Sequence, residues 1–184
     1  MSRQQMKERG FTIIEVVLVL AIAALIFLMV FIALPALQRS QRDAARKTEL
    51  GKVTSAITTY QSNNRGLQPA NGQDLMNYVD GTLYSAASTA PTPDHQSKYT
   101  PADPDVVLDN TYVLHVSPLP AGTAAAGTIG YADTDVIQVF TGAKCDSTGH
   151  TAIAGSTRNA AVIILLENGL DTSNLQSSSF CEDV

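Results

Sequence analysis

Few side chains in this 184-residue chain could do chemistry, and one of them stands in an unusual place. Glu15 immediately precedes Val16 to Leu37, 22 consecutive residues without a charged side chain. An unpaired acid in the middle of a bilayer costs about 2.5–3.5 kcal/mol on insertion scales, so Glu15 needs the interface or a cation. The other candidates are weaker. Asp103, Asp105 and Asp109, and Asp133 with Asp135, are spaced so that they could meet a hard cation such as calcium, but the twelve-residue calcium loop is absent and they read as solvated loop acids. His95, His115 and His150 have no cysteine or carboxylate at zinc-ligand spacing. Ser117 and Ser156 lack the surroundings of a nucleophile elbow. With no Walker-type or Rossmann-type glycine pattern either, the expectation is no catalytic residue, no metal and no cofactor: the chain is not read as an enzyme. Cys145 and Cys181 are the only cysteines, and they are either bonded or two free thiols. A bonded pair would point to an oxidising compartment and put the C-terminal part outside the membrane.

These residues need elements to hold them. As a helix rising about 1.5 Å per residue, Val16 to Leu37 spans on the order of 33 Å, enough for a hydrocarbon core roughly 30 Å thick. It is too long for a secretory signal, and no small-residue cleavage site follows it. Arg3, Lys7 and Arg9 precede it, whereas Arg39, Arg42, Arg46 and Lys47 follow it, so basic residues alone leave the orientation open. Pro35 lacks an amide donor and predicts a kink or loosening over Phe31 to Pro35. Charge is sorted along the chain: residues 66–184 hold Lys98, Lys144 and Arg158 against thirteen Asp and Glu. Such a body repels phosphate backbones and reads as a poor bulk nucleic-acid binder.

Beyond Leu37, Leu50, Val53, Ile57 and Tyr60 recur at helical spacing, with Ala56 beside them. The helix is predicted to run to about Asn63, stop at Asn64-Arg65-Gly66, and lay its stripe on a sheet. A short helix is expected around Gln73 to Val79, then loop to residue 105. Val106 to Val116, divided at Asp109-Asn110, reads as either one bulged strand or a tight hairpin, of which the strand pair is preferred. Thr123 to Gly130 reads as a small-residue loop, and Asp135 to Thr141 and Ala160 to Glu167 as strands, the latter central because it is almost wholly apolar. Leu170 to Ser179 is a polar tail. The class is α+β.

Gly10-Phe11-Thr12-Ile13-Ile14-Glu15, with a basic leader before it and a long apolar run after it, resembles the N-terminus of type IV pilins and their pseudopilin relatives, over about residues 3 to 60. The resemblance implies a leader of residues 1–10 and a long helix over 11–64, with the membrane span at about 11–37. It also implies a head over 65–184 built on a small antiparallel sheet. A prepilin peptidase would cut between Gly10 and Phe11, and the new Phe11 amine would be methylated. Glu15 would pair with the Phe11 amine of a neighbouring subunit, supplying the cation that the lipid argument asks for. Pilins commonly carry a C-terminal disulfide-bounded region, which Cys145 and Cys181 would form here. Closing that loop removes unfolded-chain entropy on the order of 4 kcal/mol. The implied role is a filament subunit, held as a single-pass precursor in membrane lipid and extracted by pilus assembly machinery into an extracellular homo-oligomer. A type II secretion pseudopilin or a minor pilin acting as adhesin or receptor would share this N-terminus.

Overall fold

The computed structural model describes residues 10–80, 83–85, 106–109, 112–119, 122, 124–125, 134–167 and 178–184. Contacts divide the chain into two compact units, Met1–Arg39 and Ser40–Val184. Helix α1, Ile13–Asn63, contributes residues to both.

In the first unit the helix turns large apolar side chains outward on every face, Phe27, Met29 and Phe31 among them. It is long and apolar enough to cross a membrane. Pro35 lies inside α1 without interrupting it, so the loosening expected over Phe31 to Pro35 does not break the helix. The missing amide removes a single ladder bond from a long run of intact ones.

In the second unit α1 is amphipathic. Leu50, Val53, Ala56 and Ile57 are buried against Val106, Leu108, Leu114, Ile137, Val139, Val162 and Ile164. The helix ends where its sequence predicts. The Gly66 amide donates to the Gln61 carbonyl at 2.7 Å, and Arg65 and Gly66 take φ values of 58° and 79°. That is a left-handed C-terminal cap with arginine at the position glycine usually holds. The helix expected at Gln73 to Val79 is shorter, a 3-10 turn over Gly72–Leu75 closed by a reciprocal cap between Asn71 and Asp74. Gly72 sits tightly there, since a Cβ would stand 3.0 Å from Val106 Cγ2 and 3.2 Å from the Leu114 carbonyl oxygen.

Among the described residues nine strands follow: β1 (Leu83–Ser85), β2 (Val106–Leu108), β3 (Tyr112–Pro118), β4 (Ala124–Ala125), β5 (Val136–Thr141), β6 (Ala143–Cys145), β7 (Thr151–Ala154), β8 (Ala160–Leu165) and β9 (Ser179–Asp183). A six-stranded sheet has the order β1-β2-β3-β5-β8-β9, and a three-stranded sheet the order β4-β7-β6. The strand pair expected over Val106 to Val116 is the β2–β3 hairpin, with Asp109 at φ 49° in its turn. Among the described residues all pairings are antiparallel except β3–β5, which is parallel. The intervening residues 119–135 are long enough for the crossover that a parallel pair requires.

Strand β8 is interior, paired with β5 on one side and β9 on the other. Its alternation explains the apolar run. Ala160, Val162 and Ile164 join the core under α1, while Ala161, Ile163 and Leu165 join a second core with Phe140, Ala143 and Ala152. Both faces are therefore covered, one by the helix and one by the small sheet. That small sheet is a departure from expectation, since β4 falls in the stretch read as loop and β6 and β7 were not foreseen. Strand β9 likewise begins at the end of the stretch read as polar tail.

Candidate functional site

The N-terminal motif sits on the open first turn of α1. Around Gly10 nothing lies within 4 Å of where a Cβ would be, and the Phe11 side chain is 87% exposed. Thr12 caps the helix. Its amide donates to Glu15 Oε2 at 3.0 Å and its hydroxyl donates to the same oxygen at 2.8 Å, while the Glu15 amide reaches Thr12 Oγ1 at 3.4 Å. Thr-x-x-Glu before an apolar run is the sequence signature of this reciprocal cap, a role for Thr12 that reading Glu15 as a lone acid misses. Of the expected leader, residues 1–9 lie outside the described residues.

At the far end, Cys145 on β6 and Cys181 on β9 form a disulfide with Cα atoms 5.8 Å apart. The bond joins the small sheet to the edge strand of the large one. Further links run alongside it. The Cys181 amide donates to the Gly149 carbonyl at 2.9 Å, His150 Nδ1 meets the Ser179 carbonyl, and Asp183 accepts from the Cys145 amide. Within the β6–β7 turn the Asp146 carboxylate takes the Thr148 hydroxyl and the amides of His150 and Thr151. The bond from Thr148 is the main reason that this acid is held far below the usual carboxylate range.

The remaining candidates are not brought together. His95, Asp103, Asp105 and Asp133 lie outside the described residues. His115 is on β3, the Ser156 hydroxyl bonds to Asn159, and Asp109 faces Lys52 at 3.5 Å. Among the described residues no group of three potential metal ligands forms.

Asp135 instead enters a cluster that sequence reasoning missed. Arg46 on α1 is 4% exposed. Its guanidinium reaches Asp43 at 3.1 Å, Glu167 at 2.6 Å and Asp135 at 3.7 Å, and Nε donates to the Thr134 carbonyl. Arg42 grips both oxygens of Glu167, whose amide in turn donates to Asp43 at 2.8 Å. The bonds from Arg42, with those from Arg46, hold the Glu167 carboxyl down to about 2. Burial opposes the charge on Arg46, but the bonds to Glu167 and the surrounding carboxylates outweigh it and hold the guanidinium above its ordinary range. A signal was available, because Asp43 and Arg46 continue the Leu50-Val53-Ile57 stripe backwards at spacings of three and four.

A family model, the prokaryotic N-terminal methylation motif, matches residues 5–31. No curated protein and no solved structure matches the chain. The matched stretch takes in the Gly10-Phe11 junction, the Thr12–Glu15 cap and the first part of the apolar helix, and it supports the resemblance of this N-terminus to type IV prepilins and their pseudopilin relatives.

Proposed function

We propose that the chain is a structural subunit of a type IV pilus filament, polymerised through the first part of α1. The observation that carries this reading is the methylation motif running directly into a helix whose large apolar side chains face outward in a single copy. Such a surface is stable only in lipid or against other apolar helices. In a filament the same helix moves from one low-dielectric surrounding to another. Burial changes little on that move, and polar pairing decides register. Glu15 is the group available for it, opposite the Phe11 amine that prepilin peptidase would free by cutting after Gly10. The precursor is a single-pass membrane protein whose body, with its disulfide, faces an oxidising compartment, and the assembled form is an extracellular filament of identical copies.

Mass spectrometry of the mature protein tests the processing step. The chain should begin at a methylated Phe11, and Gly10 replaced by a bulky residue should accumulate as precursor. A mature chain that keeps Met1 or Ser2 would defeat the reading. Imaging of sheared filaments tests the assembly step: Glu15→Val should insert and be cleaved yet give few filaments. Surface filaments of this subunit favour the pilus role, whereas a subunit confined to short fibres beneath the surface would fit a secretion pseudopilin.

A further inference from the structure

We propose that Thr12 is a positioning residue for Glu15, fixing one carboxylate oxygen within the subunit so that the other is presented to the neighbouring copy. The proposal rests on the assembly role of Glu15 given above and adds how that carboxylate is held.

The geometry is asymmetric. Both Thr12 donors, the amide at 3.0 Å and the hydroxyl at 2.8 Å, end on Oε2. Among the described residues no donor reaches Oε1. A free glutamate side chain samples many rotamers, and ordering it costs entropy at the moment of pairing. Two bonds to one oxygen meet that cost in advance and fold the carboxylate back toward the N-terminal end of the helix, where Phe11 lies. The same bonds partly satisfy the acid while the subunit is still in lipid. A cap that serves only the helix would need Thr12 Oγ1 as acceptor for the Glu15 amide, and that contact is the longest of the three at 3.4 Å.

Co-expression of tagged variants with the unaltered subunit tests this, with the copies of each variant per filament counted by isotope-dilution mass spectrometry. Thr12→Val keeps the shape and the amide but removes the hydroxyl. It should be cleaved and methylated normally, yet incorporate on the order of tenfold less, the scale of one hydrogen bond to a charged group. Thr12→Ser should restore incorporation. In a Glu15→Gln background, Thr12→Val should add little to the loss already present, because a coupled pair is non-additive. Counting within filaments of the unaltered subunit keeps these low levels readable. Normal incorporation of Thr12→Val, failure of Thr12→Ser to rescue, or an equal loss with and without the Glu15 charge would each overturn the proposal. If Glu15→Gln is defective and Thr12→Val is normal, only the Thr12 role fails. If Glu15→Val incorporates normally, the assembly role of Glu15 fails and this inference falls with it.

Discussion

Arg46 carries more of the second unit than its residue type suggests. It is the buried cation of a cluster that includes Asp43, Asp135 and Glu167, and removing it leaves acids that were taken out of water with a partner. Breaking a buried pair from one side typically costs about 3–5 kcal/mol, so Arg46→Met should lower stability by that order. Glu167 gives the pH dependence. Its folded value of about 2 lies below the ordinary 4.5, so its contribution is fully present above the unfolded value and is lost as pH falls from about 4.5 toward 2. Thermal melts of the detergent-solubilised protein across that window should fall more steeply for the unaltered chain than for Glu167→Gln. Equal slopes would mean that the two arginines do not stabilise the charged form. Glu15 stood out in the sequence because a charge beside a long apolar run is conspicuous. Arg46 did not, because a charge on an amphipathic helix reads as solvated unless the stripe is followed back one more turn.

Elements were legible in proportion to how locally they are determined. The end of α1 was readable because Asn64, Arg65 and Gly66 set it within one turn, and β8 was readable because six apolar residues admit no exposed face. Strands β6, β7 and β9 were not. Ala143–Cys145, Thr151–Ala154 and Ser179–Asp183 are short and made mostly of small or polar residues, and the large side chains that bury Ala143, Ala152 and Cys181, namely Phe140, Ile163 and Leu165, come from β5 and β8. The β6–β7 hairpin also depends on close backbone approach. A Cβ on Gly155 would stand 2.8 Å from the Ala143 carbonyl carbon and 3.1 Å from its oxygen. Gly155→Ala should therefore push the hairpin off the second core and cost about 1–3 kcal/mol, as overpacking does. Amide exchange should quicken first at β6 and β7; exchange unchanged there would show that the hairpin gives way without loss.

For the whole molecule, the disulfide is the one covalent cross-link between the small sheet and the large one. Three of the seven buried residues of the second core are alanines, and its bulk is Phe140, Ile163 and Leu165, all from the large sheet, so the small sheet has limited apolar area with which to stay in place. Cys181→Ser should lower unfolding stability by about 4 kcal/mol for a closed loop of this size, with denaturant midpoints of oxidised and reduced protein as the measurement. A shift below about 1 kcal/mol would mean that the links from Gly149, His150 and Asp183 suffice. The α+β class and the helix-on-sheet layer were legible from periodicity. The second layer was not, because it is made of small residues whose burial leaves no hydrophobic signature.

The strand order also sets a timetable for synthesis. Leu50 to Ile57 is translated early, but two of the residues that cover it, Val162 and Ile164, come about a hundred residues later, roughly 5–20 s at 5–20 residues per second. Strand β8 in turn must wait for Ser179–Asp183 before it is paired on both sides. The growing chain thus shows a bare apolar stripe first and an unpaired apolar strand afterwards. Its greatest exposure to wrong partners falls during its own production, before any filament exists.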